Sequence, residues 1–263
     1  MLSEAVRSRE ARERATFSKV AAGRSAVAIE DLIVSPAEIA RYGAFVSGRA
    51  APVYPIERLF ALAEPAPGKR ILEICGHHGE YGAILAHLGA EVDSVDIAEP
   101  LVAIAKDRVS LNCLDGKLRP AVMSVHEMEF ANDTFDVVFG KASLHHLDLR
   151  LARDEIHRVL KPGGYGVFSE PVHLMPVMSR LRGLVPVKVD AESPDEKPLS
   201  QQDLDDFCRP FSRVELFHFR LLGRLDRVLK PAGHVLARLD MQILERLPVL
   251  RPTAGGVLFR VFK

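Results

Sequence analysis

Short apolar runs alternate with amphipathic stretches through the middle of the chain, and this alternation predicts a parallel β-sheet. The runs are rich in β-branched and aromatic residues, and the stretches between them carry apolar positions at helical spacing. The predicted strands are residues 70–75, 91–96, 120–124, 135–140 and 164–170. Because strands that alternate with helices build βαβ units, we expect an α/β fold with helices on both faces of the sheet.

The C-terminal part of the chain continues this pattern after an irregular stretch. Residues 171–200 contain several prolines and a charged run, Asp195-Glu196-Lys197. So long an irregular segment in a compact domain is usually functional, and we expect it to form an insertion on the substrate side. Two further strands are predicted at residues 213–219 and 255–262, which brings the total to seven.

The N-terminal part has a helical pattern with several breaks. It predicts a helical cap or lid (residues 1–64) in front of the core domain (residues 65–263). Within it, Ser35-Pro36-Ala37-Glu38 predicts a helix start, with Ser as the N-cap, Pro at the first helical position and Glu at the third. Pro65-Ala66-Pro67-Gly68 marks the boundary with the core.

Charge and composition narrow the classes of partner. The 263 residues include 35 Lys and Arg and 35 Asp and Glu, so the formal net charge is zero. A neutral chain has no global field to gather a polyanion, and we therefore expect neither nucleic acid nor a membrane as partner. Three cysteines without C-x-x-C spacing predict no disulfide framework and no metal. With no apolar run of membrane-helix length and no apolar leader in residues 1–14, the prediction is a cytoplasmic protein.

One strand-to-helix junction carries candidate chemistry. Glu73-Ile74-Cys75-Gly76-His77-His78-Gly79 follows the first strand, and Asp96 ends the second. Ligands of parallel sheets bind beyond the carboxyl ends of the strands, where a helix N-terminus offers unpaired N–H groups. A carboxylate at the end of the second strand is suited to bind two ribose hydroxyls. Dinucleotide-binding proteins share these two features, so the pair alone does not select one ligand.

Several later segments have the order and spacing of a known family. They are the run 128–138 into the fourth strand, Leu144-His145-His146-Leu147-Asp148, the run 155–164 with its Lys-Pro-Gly-Gly turn, and Phe168-Ser169-Glu170-Pro171. With these segments the chain resembles the class I S-adenosylmethionine (SAM)-dependent methyltransferases, specifically the small-molecule group. The resemblance covers roughly residues 17–219.

The resemblance implies a Rossmann-like, seven-stranded, mostly parallel sheet with an antiparallel last strand, SAM as cofactor and a small-molecule substrate. The implied cofactor-binding residues are Glu73, Cys75, Gly76, His77, Gly79, Asp96, Ile97, Ser124, Val125, His126 and Lys141. His145 and His146 are the catalytic candidates, because an imidazole titrates near neutral pH. Neighbouring residues at a helix start point in different directions, so we expect at most one of the two to face the site. Tyr42, Glu170 and His173 are the substrate-binding candidates.

Three positions depart from the family's pattern. Cys75 and His77 stand where its G-x-G-x-G loop has the first two glycines, and Ser124 stands where an acidic residue is usual. Side chains at the two loop positions crowd the path of the methionine part of SAM, and they cost strain if φ is positive. Either the loop has shifted and SAM still binds, or SAM binding is weakened or lost.

Other interpretations stay open. A methyltransferase fold that no longer methylates would use its pocket for another reaction, such as a cyclisation, or for binding. A nicotinamide-dependent oxidoreductase is disfavoured, because the chain lacks G-x-G-x-x-G. Glu73 as a helix cap and Tyr42 as a core residue are the structural alternatives to their ligand roles. The acceptor atom and the oligomeric state are not determined, with a homodimer as one alternative.

Overall fold

The computed structural model describes residues 2–23, 28–174, 197–221 and 233–263. Its strands lie in the order β3-β2-β1-β4-β5-β8-β7, with the short β6 beside the end of β5. They are β1 Arg70–Ile74, β2 Glu91–Asp96, β3 Leu118–Val122, β4 Phe135–Lys141, β5 Leu160–His173, β6 Leu199–Ser200, β7 Arg213–Phe219 and β8 Gly256–Phe262. The first five strands and β6 are parallel, and β8 runs antiparallel to β5 and β7. The expected mostly parallel sheet with an antiparallel last strand is confirmed.

Two strands differ from the predicted extent by more than one residue. β3 begins and ends two residues earlier than expected, so Ser124 lies in the segment after the strand. β5 is longer because it includes the Lys-Pro-Gly-Gly turn, where the register with β4 shifts and Gly163 has a φ of 77°. A positive φ favours glycine, as expected at this turn. Most of the predicted insertion, residues 175–196, lies outside the described residues.

The helices pack on both faces of the sheet. They are α1 Glu4–Gly23, α2 Ile29–Leu32, α3 Pro36–Val46, α4 Pro55–Ala63, α5 Glu80–His87, α6 Glu99–Leu111, α7 Leu149–Val159, α8 Gln201–Cys208 and α9 Gly233–Arg246. Short 3-10 helices span Leu144–His146 and Pro248–Thr253. Among the residues that the structure describes, no helix is both long and apolar enough to cross a membrane.

Two apolar cores flank the sheet and explain the near-continuous apolar runs of its central strands. Phe139 of β4 packs with Phe60 of α4 on one face, and its neighbour Val138 belongs to the core on the other face, with Phe168 and Phe259. Strands buried on both faces are typical of parallel sheets. The carboxyl ends of the parallel strands therefore meet at one edge, and this edge carries the site.

The N-terminal helices pack against the core domain, with α1 and α2 on α6, α3 on α5 and α4 on β5. Ser35 and Glu38 form the predicted capping box at the start of α3. Just before it, the buried Asn112 accepts from the Val34 N–H at 2.7 Å and donates to the Leu32 carbonyl at 2.8 Å. Arg108 donates to the same carbonyl at 2.9 Å. These bonds hold the segment before α3 against α6.

Candidate active site

A cavity of about 510 Å³ lies at the carboxyl edge of the sheet, a volume typical of small-molecule sites. Its walls come from the loop after β1, the ends of β2 and β4, the segment after β3 and the turn 144–146, and α1 covers it. The structure brings most of the predicted site residues together here. Those that line the cavity are Glu73, Cys75, Gly76, His77, Asp96, Ile97, Ser124, Val125, His126, Lys141, His145 and His146.

The loop after β1 has a left-handed backbone at both positions where glycine was expected. The φ angles of Cys75 and His77 are 50° and 52°, and that of Gly79 is 73°. A residue with a Cβ costs roughly 1–2 kcal/mol in this region, whereas glycine adopts it freely. Burial raises the pKa of the Cys75 thiol well above its usual range, so the thiol stays protonated near neutral pH. The loop therefore keeps the backbone path of a glycine loop with side chains added.

Glu73 stabilises this loop through buried hydrogen bonds. Its carboxylate is 2% exposed and accepts from Ser94 Oγ at 2.5 Å and from the Gly82 N–H in the first turn of α5. Burial raises the pKa of Glu73 to about 7. A Cβ at Gly76 would lie 2.0 Å from Ser94 Oγ and 2.8 Å from Glu73 Oε2, so this position requires glycine. Glu73 thus caps α5 and also borders the cavity.

Asp96 is held in place by the backbone on both sides. Its Oδ2 accepts from the His77 N–H and its Oδ1 from the Ala98 N–H, both at 2.9 Å. Burial raises the pKa of Asp96, and these N–H donors oppose that rise. Because each carboxylate oxygen can accept a second bond, Asp96 retains capacity for hydroxyl donors in the cavity. It also ties the loop after β1 to the end of β2.

His145 is oriented by Glu170. Glu170 Oε2 accepts from His145 Nδ1 at 2.7 Å, and Oε1 accepts from the Ser143 and Leu144 N–H groups at 2.9 Å each. A carboxylate at Nδ1 favours the tautomer that carries its proton there, which leaves Nε2 as the proton-accepting nitrogen. Glu170 is 1% exposed and does not line the cavity. It acts on the site through His145.

His146 faces the covering helix. Its Nδ1 lies 3.3 Å from Glu13 Oε2, and the Phe17 ring contacts it edge-on at a centroid distance of 5.3 Å. Both histidines line the cavity, whereas at most one was expected to do so. The reason is local, since residues 144–146 form a 3-10 helix that places the two imidazole centroids 4.1 Å apart.

Comparison with known proteins agrees with this fold. A family model described as a methyltransferase domain matches residues 72–168, which contain β1 through most of β5. A 24-methylenesterol C-methyltransferase from Oryza sativa subsp. japonica is 32% identical over 192 residues, which are 70% of this chain and 50% of that protein. The chain therefore carries a methyltransferase domain. It spans about half the length of the curated relatives it matches.

Solved structures show the same fold as this methyltransferase domain. A putative methyltransferase from Bacillus halodurans C-125 covers 80% of this chain and 98% of its own, at 15% identity and a TM-score of 0.55. The [4+2]-cyclase SpnF covers 78% of this chain and 79% of its own, at 17% identity and the same TM-score. At these identities the likeness concerns the fold alone.

Four predicted site residues do not line the cavity of the methyltransferase domain. Gly79 begins α5, and a Cβ there would lie 3.0 Å from the Ala105 Cβ, so it serves helix packing. Tyr42 is 8% exposed and packs on Phe60 at a centroid distance of 4.4 Å, so it is a core residue and not a ligand of the cavity. His173 pairs with Ser200 between β5 and β6. Glu170 is the fourth.

Sequence reasoning missed the contribution of α1 to the site. Glu10, Glu13 and Phe17 line the cavity, although they precede the loop after β1 by more than fifty residues. The Glu10 carboxylate accepts a hydrogen bond from Ser124 Oγ and another from His126 Nδ1, the second at 2.7 Å. It thus places a carboxylate beside Ser124, where the family's pattern has an acidic residue. No local pattern in α1 predicts this, because the contact depends on how the helix packs.

Proposed function

We propose that this chain transfers a methyl group from SAM to a small-molecule acceptor. The observation that carries the proposal is the cavity at the carboxyl edge of a class I methyltransferase fold, with Asp96 fixed at the end of β2 and His145 fixed after β4. Asp96 is positioned for the nucleoside part of a ligand and His145 for an acceptor, and the ligand and the acceptor would meet between these two residues.

The charges in the cavity fit a positively charged cofactor. Its lining has five carboxyl groups, from Glu10, Glu13, Glu73, Glu80 and Asp96, and two permanent cations, Arg9 and Lys141. In such a setting a sulfonium and an amino group are favoured over an anion of the same size. Asp96 would bind the ribose hydroxyls, and the residues after β3 would border the adenine.

The mechanism places acid–base chemistry on His145. When bound, SAM supplies an electrophilic methyl group on its sulfonium. His145, held by Glu170, would take the proton that an acceptor loses as the new bond forms. Helix α1 lines the cavity with Arg9, Glu10, Glu13 and Phe17, and as a cover it would exclude water and so strengthen the electrostatic interactions inside. The walls hold the reactants in line, which supplies most of the acceleration in a direct displacement.

The acceptor we propose is a metabolite or natural-product-like compound. The relative in Oryza is named as a C-methyltransferase of a 24-methylenesterol, and carbon methylation requires removal of a proton that His145 would accept. We further propose that the chain works in the cytoplasm as a biosynthetic enzyme, that residues 1–64 act as a lid over the core, and that the segment around 171–200 borders the acceptor.

Binding of the cofactor tests the proposal. Isothermal titration of S-adenosylhomocysteine should show binding, and Asp96→Asn should weaken it at least about tenfold, since the loss of one charged hydrogen bond has that size. Asp107→Asn, on the exposed side of α6, is the matched control and should leave affinity unchanged. No binding of either SAM or S-adenosylhomocysteine at millimolar concentration would contradict a methyltransferase.

A second function is favoured by one observation, the left-handed φ angles of Cys75 and His77. A protein that keeps the fold but binds no SAM would use the same cavity for another reaction, such as a cyclisation, or for ligand binding. The titration above separates the two, because only the methyltransferase requires SAM.

A further inference from the structure

A second, smaller cavity of about 270 Å³ adjoins the first one. The two cavities share Arg9, His145 and Leu147, so they meet beside the imidazole proposed as the base. A ligand in the second cavity would therefore reach the boundary with the first cavity next to His145.

The walls of the second cavity are half polar and half apolar. Four leucines form the apolar half: Leu144 and Leu147 in the turn after β4, Leu149 at the start of α7, and Leu199 in β6. Leu144 and Leu199 are 0% and 3% exposed and belong to the core, whereas Leu147 and Leu149 are half-buried and offer apolar surface to a ligand. This surface favours a hydrocarbon group, because its apolar area leaves water on binding.

The polar groups of this cavity carry a positive excess. Arg9 and Lys197 line it together with Asp203, whose carboxylate already accepts from Ser200 N at 2.9 Å and Ser200 Oγ at 2.7 Å. Arg9 donates through Nη2 to the His145 carbonyl at 3.0 Å. Its Nε is buried and has no hydrogen-bond partner among the described residues. A buried donor without a partner favours a ligand that supplies an acceptor.

We propose that the second cavity holds the methyl acceptor and selects a molecule with an apolar body and an anionic group. The hydrocarbon part packs on the leucines, and the anionic group binds Arg9 and Lys197. This assignment of the ligand as acceptor rests on the proposed methyl transfer. The charge selection contrasts with the first cavity, whose carboxyl groups favour a cation.

The test uses octyl phosphate as the probe, kept below its critical micelle concentration, with octanol and inorganic phosphate as comparisons. Octyl phosphate should bind the wild-type protein at least about tenfold tighter than either, since both halves of the site contribute. Lys197→Met should weaken octyl phosphate by about tenfold. Arg7→Met is the matched control, because Arg7 is an exposed cation on α1 two residues from Arg9, and it should have no effect.

A second variant tests the cavity by filling it, without changing any charge. Leu149 lines only the smaller cavity and is half-buried, so Leu149→Phe should fill the space and abolish octyl phosphate binding. Both Lys197→Met and Leu149→Phe should keep the affinity for S-adenosylhomocysteine within about twofold, because neither residue lines the first cavity.

Three results would overturn the inference. They are equal affinity for octyl phosphate and octanol, unchanged binding in Lys197→Met, and unchanged binding in Leu149→Phe. Failure of the wild-type protein to bind S-adenosylhomocysteine is a separate outcome. It would contradict the proposed function and the acceptor role of the second cavity, even if octyl phosphate still bound there.

Discussion

At the scale of single residues, the loop after β1 combines side chains with a backbone that suits glycine. We expect Cys75→Gly to have a higher free energy of unfolding than Cys75→Ala, by about 1 kcal/mol, because alanine keeps the strain of the left-handed φ. The usual order is the reverse, since glycine lowers stability by roughly 0.5–1 kcal/mol elsewhere. Urea unfolding of the two variants measures the difference. Since both lose the thiol, an alanine variant as stable as the glycine variant would contradict the strain.

Glu73 predicts a pH dependence of stability. The folded state raises the pKa of Glu73 to about 7, above the ordinary value of about 4.3. The folded protein therefore binds the Glu73 proton more tightly than the unfolded chain does. This tighter binding adds to the free energy of unfolding, fully below about pH 4, and the added stability is lost as the pH rises through about 7. The total is on the order of 3 kcal/mol.

Glu73→Gln removes this ionisation and provides the comparison. Urea unfolding at about pH 5 and about pH 8 should show the wild-type protein losing stability relative to the Gln variant as the pH rises. A difference between the two proteins that does not change with pH would mean that Glu73 is not buried as described.

At the scale of elements, α1 is held over the cavity by Glu10. The Asp148 N–H donates to His126 Nε2 at 2.9 Å, so the His126 proton lies on Nδ1 and points to Glu10. We expect Glu10→Ala to raise hydrogen exchange of the α1 amides by about tenfold or more, because a charged hydrogen bond is lost. Glu4→Ala, exposed on the same helix, should not change it. Equal exchange in both variants would show that other contacts hold α1.

The elements themselves could largely be predicted from the sequence. The buried runs of β1, β2 and β4 and the Ser35–Glu38 capping box are local patterns, and their positions are confirmed. An N-terminal cap was predicted, but the residues of α1 that line the cavity could not be, because Glu10 and Glu13 meet His126 and His146 only through packing of α1 on α6. Glu170 was assigned to substrate for a similar reason, since only the structure shows that the turn after β4 uses its carboxylate.

At the scale of the whole molecule, the fold and the family explain why one edge of the sheet carries both cavities. The parallel strands end there, and loops from four of them converge with α1. The larger cavity is rich in carboxyl groups, and the smaller one combines leucines with two cations. The proposed methyl transfer would bring a cationic cofactor and an amphipathic acceptor together at the boundary of the two cavities, where His145 lines both.

A crystal structure with S-adenosylhomocysteine would show whether the larger cavity is the cofactor site. The ligand should occupy this cavity, with its ribose hydroxyls within about 3 Å of the Asp96 carboxylate and its sulfur directed towards the boundary of the two cavities at His145. A ligand bound elsewhere, or a soaked crystal in which the cavity stays closed around Cys75 and His77 without ligand, would contradict this assignment.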